Sequence, residues 1–388
     1  MAIPAELMPL IAQVRQQHPQ LKDASDELVA QLVLEAMISE EGAGTPPNPK
    51  EADLEKMSAE ECGSYGEYLL RTGQWQAAER CFFTALGKGE RDNNLEQQCK
   101  ALGLLGRICS QRGDFPQARA LFQKTLELAE QLGQRRLISV VYSEIGDINQ
   151  IQGHYPQALE YYRKSLQIKE EMGNEDGMAV SYGCLGIVYS KQGDFDQAIE
   201  ALEKGLALSL KLGNETEAAT AYNNIGIVFR QQGRYDRATL MHQQSLEIEL
   251  RLGNQPGAAS IYGNLGNVHC EQGDLEAAQR MFHKALEIFE RIGDEPNTAV
   301  AYGSLAIVHM QMDEVARALE FFHKALKIEE RIGDQHGAAK DYFNLGLLYE
   351  RMNDRAQAQA HLEKAKALYE MVGDAPKAQK AARKLRDL

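Results

Sequence analysis

The sequence predicts an all-α fold of the solenoid class, a right-handed superhelix of about eight helix-turn-helix units. Three observations predict it. Gly133, Gly173, Gly213, Gly253, Gly293, Gly333 and Gly373 recur forty residues apart, as do Tyr142, Tyr182, Tyr222, Tyr262, Tyr302 and Tyr342. A column of small residues runs through Gly66, Gly106, Gly146, Gly186, Gly226, Gly266, Ala306 and Gly346, and alanines repeat in the same register from Ala78 to Ala358. Between about residues 59 and 375 no insertion or deletion breaks the register.

The elements follow in chain order. Residues 1–42 read as an N-terminal helical segment, with helices around 5–17 and 24–41. The stretch "GAGTPPNPKEAD" marks a linker over 43–58, because clustered Gly and Pro interrupt helical periodicity. Eight forty-residue units fill 59–375, and 376–388 is a C-terminal capping helix. In the sixth unit the spacing predicts helix A over Gln255–Gln272 and helix B over Leu275–Ile292. Ile261, Leu265 and Val268 fall on one face of A, and Ala278, Phe282, Ala285, Leu286 and Phe289 on one face of B. Gly253 is placed to end a helix in the left-handed conformation, with Asn254 and, forty residues on, Asp294 as N-caps. Segment 1–42 holds seven acids against Arg15 and Lys22, whereas the last helix holds five bases and one acid. Both ends read as polar caps of a solenoid; contact of the acidic head with the basic tail of another copy would make a homo-oligomer.

Bulk composition narrows the partners. The net charge of −14 disfavours nucleic acid, whose phosphates need Lys and Arg, and disfavours anionic lipid. No run reaches the roughly twenty apolar residues of a membrane span, so no membrane insertion is expected. The N-terminus lacks a basic, apolar leader, and the six cysteines form no CxxC pair. Reduced thiols in a cytoplasmic protein are the expectation.

No nucleotide-binding, zinc-protease or nucleophile-elbow motif is present, so no enzyme activity and no cofactor are expected. His269 and His309 repeat at forty residues, as do His283 and His323; duplication accounts for them, and no metal site is expected. Glu247, Glu249, Glu287 and Glu290 are expected on the outward, solvated face of helix B.

Numbered so that Tyr262 is position 4, the unit places Leu265, Gly266, Ala278, Phe282 and Ala285 at positions 7, 8, 20, 24 and 27. This pattern resembles the tetratricopeptide repeat, over about four-fifths of the chain. Two departures stand out: position 4 is mostly Tyr rather than Trp, and the usual Pro at position 32 is absent. Absence of that Pro lets helix B run on, which accounts for a forty-residue period. Long repeats of this kind resemble those of LGN/Pins polarity adaptors and kinesin light chain.

The resemblance implies that positions 2, 5, 6, 9, 12 and 13 of helix A line a concave groove. The implied peptide-binding residues are Asn223, Asn224, Asn264, Asn267 and Asn344, with Ile187, Ile227, Ile307 and Met310 as apolar footing and Lys100, Arg107, Lys191 and Arg230 as cations. Asn offers the donor and acceptor that a peptide backbone presents, and glycines at position 5 leave room for that backbone. Across eight units the stripe holds seven bases and six acids, so the chain's excess acid lies elsewhere. Cochaperone repeats clamp a carboxylate with Lys at position 5 and Asn at position 9, but here Asn267 is paired with Gly263, so that ligand is not expected.

These readings converge on a non-enzymatic scaffold that binds an extended or helical segment of a partner protein. Two alternatives remain: a peptide-gated regulator resembling the Rap family, for which two N-terminal helices are few, and a self-assembling scaffold.

Overall fold

The computed structural model describes residues 51–388, in two compact units, 51–132 and 133–388. Every regular element among them is an α-helix.

The first unit holds α1 (Glu51–Lys56), α2 (Ala59–Arg71), α3 (Trp75–Arg91), α4 (Leu95–Gln111) and α5 (Phe115–Gln131). Cys62, Leu69, Ala78, Phe82, Leu105 and Ile108 form its core. Helix α1 lies inside the stretch expected as a linker. Leu54 gives it something to bury, being 3% exposed and packed in that core. Its carbonyl accepts the Cys62 thiol at 3.5 Å, and Lys88 Nζ donates to the Glu55 carbonyl at 2.8 Å. The helices expected within 1–42 lie outside the described residues, as do residues 43–50 of the expected linker.

The second unit holds six A/B pairs: α6 (Arg135–Ile151) with α7 (Tyr155–Glu171), α8 (Glu175–Gln192) with α9 (Phe195–Leu212), and α10 (Glu215–Gln231) with α11 (Tyr235–Leu252). Then come α12 (Gln255–Gln272) with α13 (Leu275–Ile292), α14 (Glu295–Gln311) with α15 (Val315–Ile332), and α16 (Gln335–Arg351) with α17 (Arg355–Met371). Helix α18 (Ala375–Asp387) closes the stack. Helices α12 and α13 coincide with the spans that apolar spacing predicts. Gly253 and Gly273 end helices at φ 70° and 82°, and where glycine is missing Asp313 and Asn353 adopt φ 61° and 58°. Asn254 Oδ1 accepts from the Gly257 amide and Asp294 Oδ1 from the Asn297 amide, both at 3.2 Å, so the expected caps form.

Within a pair, the helices meet at the column of small residues. A Cβ on Gly266 would stand 2.7 Å from the Phe282 ring, closer than real side chains approach. Gly146 faces Tyr162 at 2.7 Å, Gly226 faces His242 at 2.8 Å and Gly346 faces Leu362 at 2.6 Å. Ala306 is the one larger member in this unit, and it and Phe322 are both fully buried.

Between pairs, the absent Pro at position 32 acquires a meaning. Glutamates stand there in several units, and the Tyr342 hydroxyl donates to Glu330 at 2.7 Å, with Tyr302 bonded likewise to Glu290. Lys284, Lys324 and Lys364 lie over the rings of Tyr262, Tyr302 and Tyr342 at 5.1, 5.6 and 4.9 Å. Glutamate thus both continues helix B and ties it to helix A of the next unit. Successive A helices α8, α10 and α12 approach one another, as do α14 and α16, whereas the B helices do not come as near. The A helices are therefore the inner layer of this unit.

Gly266→Val should lower stability by about 1–3 kcal/mol through overpacking against Phe282, and Gly266→Ala should cost less, as Ala306 demonstrates. Thermal denaturation followed by circular dichroism checks the order; a valine variant as stable as wild type would remove close approach as the reason for the glycine column.

Candidate functional site

The inner face of the A helices is a half-buried polar stripe. Asn223, Asn224, Ile227 and Arg230 stand on α10, Asn264 and Asn267 on α12, Ile307 and Met310 on α14, and Asn344 on α16, all half-buried. Ile187 is half-buried on α8, and Lys191 beside it is exposed. These eleven residues belong to the second unit. Lys100 and Arg107 are exposed on α4 of the first unit, where Lys100 pairs with Glu96 at 3.1 Å.

The stripe is cross-braced at an offset of one unit plus one residue. Asn264 Nδ2 donates to Asn223 Oδ1 at 2.9 Å, and Ser190 Oγ donates to Gln231 at 2.6 Å. Arg230 pairs with Glu271, and Arg351 reaches both the Met310 carbonyl at 2.8 Å and Asp313 at 2.5 Å. Arg230 is therefore committed to its neighbour rather than held free for a ligand, because Glu271 stands one residue past its equivalent on the next A helix. By contrast, the side-chain amides of Asn224, Asn267 and Asn344 have no hydrogen-bond partner among the described residues. Such amides, half in water, can take up both a carbonyl and an N–H of an incoming chain.

The floor beneath those amides is uneven. A Cβ at Gly183 or Gly263 would meet nothing within 4 Å, so open space lies over α8 and α12 at position 5. At Gly303 that space is taken, because a Cβ would stand 2.9 Å from Asp341 Oδ2. At the next unit Phe343 fills position 5 itself, 7% exposed. Ile307 and Met310 pack partly against the core of α14–α16, so only part of each is free as footing. Cys184 also sits on the stripe; burial pushes its thiol pKa up to about 12, which keeps it protonated and unreactive.

Behind the stripe are charges that hydrophobic periodicity does not reveal. Position 31 of helix B is buried against the next A helix, and in alternate units it is charged: Lys169, Glu249 and Glu329, exposed 7%, 7% and 3%. This corrects the expectation for Glu249, which does not face solvent. Each is followed eight residues later by glycine. A Cβ on Gly257 would stand 2.6 Å from Glu249 Oε2, and one on Gly337 would stand 2.6 Å from Glu329 Oε1. Pairing of charge at position 31 with glycine at position 39 is the signal by which the sequence could have disclosed these sites. Lys169 is satisfied by Ser181 Oγ at 2.8 Å. Glu329 lies close enough to Asp341 to feel its charge, and each leaves a buried oxygen without a partner. Burial raises both, with Asp341 adding to the rise of Glu329: Glu329 to about 8 and Asp341 to about 7. His242 occupies the large-residue position under Gly226 with neither ring nitrogen bonded. Burial, and then Arg230, pull its pKa down to about 4.

These groups give opposite pH dependences. His242 is depressed below its unfolded value, so its contribution is present above about pH 6.5 and is lost as pH falls towards 4, on the order of 3 kcal/mol. The two acids are raised, so their contribution is present below their unfolded values and is lost as pH rises through about 7 and 8. Between about pH 4.5 and 6.5 the two acids, whose contribution falls as pH rises, outweigh the single His242, so these groups together should make the melting temperature decline from about pH 4.5 to 8. His242→Phe should steepen that decline below about pH 6.5, and Glu329→Gln should make it shallower between about pH 4.5 and 8. A Glu329→Gln profile parallel to wild type above pH 7 would show that this carboxyl does not ionise late.

Among the described residues no helix is long and apolar enough to cross a membrane. No curated protein matches the chain in sequence. By structure it is similar to BtubC from P. vanneervenii, with 25% identity and TM-score 0.51 over 55% of this chain and 90% of that one. It is also similar to the apo form of the quorum sensor NprR from B. thuringiensis, 14% identical, with TM-score 0.61 over 94% and 96% of the two chains. A third likeness is to the Rap conjugation gene regulator of the plasmid pLS20 in complex with the Phr* peptide, 19% identical, TM-score 0.52, covering 83% and 96%. At such identities the last two speak for the fold alone. The tetratricopeptide-repeat model matches residues 61–131, 97–171, 177–249, 257–328 and 298–371. With paired helices meeting at a glycine column and most of its length matched by that model, the chain belongs to the tetratricopeptide-repeat family of protein-interaction scaffolds.

Proposed function

We propose that the protein is a non-enzymatic scaffold that binds an extended or helical peptide segment of a partner along the inner A-helix stripe of its second unit. The observation that carries this reading is the set of unengaged amides on Asn224, Asn267 and Asn344, the first two beside the open space over Gly183 and Gly263. Asparagine weakens a helix, so its recurrence on one face without an internal partner needs a reason outside the helix. A ligand backbone supplies one. Similarity to a Rap regulator held with the Phr* peptide supports peptides as the ligand class.

A second reading is a peptide-gated regulator. It draws on fold similarity to the quorum sensor NprR over nearly the full length of both chains. In that case peptide binding would alter the protein's effect on a second protein rather than recruit it.

Peptides selected from a displayed library against the full chain should bind Asn224→Ala/Asn344→Ala at least tenfold more weakly, corresponding to about 1.4 kcal/mol. The outward-face variant Glu247→Ala/Glu287→Ala should bind as wild type does. Equal binding to both variants would place the ligand elsewhere. Loss of phosphate from a response regulator in the protein's presence, relieved by a selected peptide, would favour the second reading.

A further inference from the structure

One seam of the second unit departs from its neighbours in both shape and charge. At position 31 of helix B, Phe289 of α13 and Tyr369 of α17 pack a ring against the helix that follows, 6% and 3% exposed. Between them, α15 carries Glu329 at that position, 3% exposed. A carboxyl does not fill the volume of a ring. Helix α15 also approaches α16 less closely than any other B helix of this unit approaches its successor. The result is a cleft of about 350 Å³ lined by residues of α15, α16 and α17.

The cleft has walls of two kinds. Ala338, Ala367, Leu368 and the Tyr342 ring form an apolar side, and Glu329, Glu330 and Asp334 bring carboxyls. Glu330 is engaged by the Tyr342 hydroxyl at 2.7 Å, and Asp334 Oδ1 by the Gly337 amide at 2.9 Å. Glu329 keeps an open valence, because its Oε2 is buried without a hydrogen-bond partner. Gly337 makes room for that carboxyl, since a Cβ there would stand 2.6 Å from Oε1. The charged groups around it are Glu330 on its own helix, Asp334 in the turn, Lys340 and Asp341 on α16, and Lys364 on α17. Lys340 is exposed, and Lys364 lies over Tyr342, 4.9 Å from the ring centroid. Acids outnumber bases in this set, and a buried carboxyl oxygen without a partner is costly to keep.

We propose that this cleft binds an aliphatic amine, with the ammonium on Glu329 and the hydrocarbon chain along Ala338, Ala367 and Leu368. An ammonium is a compact charge with three donors, which suits an open carboxyl oxygen with further carboxyls beside it. The apolar wall takes the methylene groups out of water. Two sources carry this chemistry, a free diamine and a lysine side chain of another protein. The inner stripe takes no part, so the cleft can bind whether or not the groove does. Binding also moves a proton. Burial, then Asp341 and Asp334, raise the Glu329 carboxyl to about 8, so it is mostly protonated at pH 7. An ammonium beside it favours the carboxylate, and the carboxyl proton passes to the buffer.

Cadaverine, Nα-acetyl-lysine methylamide, pentane-1,5-diol and glutarate would be titrated into the full chain at pH 7 by isothermal calorimetry, in phosphate and in Tris. Cadaverine should bind with heats that differ between the buffers by release of up to about one proton. The diol and glutarate should bind at least tenfold more weakly. Glu329→Gln keeps the shape without the charge, and should lose at least tenfold in affinity together with the proton release. Glu329→Phe restores the ring of the neighbouring seams and should also abolish binding, which keeps the test open if the glutamine variant does not fold. The exposed pair Glu247→Gln/Glu287→Gln should bind as wild type does, which separates the cleft from general attraction to a chain of charge −14. Affinity for the lysine derivative equal to that for cadaverine assigns the cleft to a partner's lysine, and weaker affinity assigns it to free amines. The proposal is overturned if neither amine binds, if the diol matches cadaverine, or if the glutamine variant and the exposed pair lose equally.

Discussion

Everything else in the molecule depends on how closely helix A can approach helix B. At position 8 the backbone of A lies against a large side chain of B, and seven of eight units keep glycine there. A 2.5–2.8 Å gap to the hypothetical Cβ means that the contact is backbone against ring or branched carbon, with no side chain between. This close approach fixes the distance within each pair. Because successive pairs share the same geometry, it also fixes how the A helices line up. The poor helix propensity of stretches such as Ile261–His269 is tolerated for the same reason, since the neighbours rather than the isolated helix supply the stability.

A second constraint acts between pairs. Helix B must continue past position 32 to span the forty-residue period, and glutamate does this while anchoring the next tyrosine. Departure from the common repeat is thus not a loss of an interaction but an exchange of a helix-breaking residue for a hydrogen bond. Position 31, one residue earlier, points the other way, into the seam. There the repeat tolerates Lys169, Glu249 and Glu329 because glycine eight residues later vacates the necessary volume. Leaving carboxyl oxygens of Glu249, Glu329 and Asp341 unbonded in that seam is costly, so the seam is the place where this array departs most from a uniform, apolar repeat.

The candidate site was legible in part. The asparagine column could be read because asparagine is a poor choice for a solvated helix face, and the column falls on one stripe by helical spacing alone. Which amides are engaged could not be read, since the Asn223–Asn264 and Arg230–Glu271 links join residues 41 apart in sequence. Their pairing depends on the stagger between A helices, and no local signal encodes that. The closure of the floor at Gly303 is of the same kind, because the blocking group, Asp341, belongs to the following unit.

The sequence by itself determined the fold class, the bounds of the helix pair Gln255–Gln272 and Leu275–Ile292, and its glycine turn and asparagine and aspartate N-caps, because these follow from contacts within one forty-residue period. A glycine at a left-handed turn, an asparagine before a helix and an apolar face at spacings of three and four act locally, so a one-dimensional pattern records them. Only the tertiary structure decided which groups in the stripe are free, that Glu249 is buried and that α1 docks through Leu54. Those outcomes depend on side chains from different units meeting across a seam, where a shift of a single residue exchanges a bonded group for a free one.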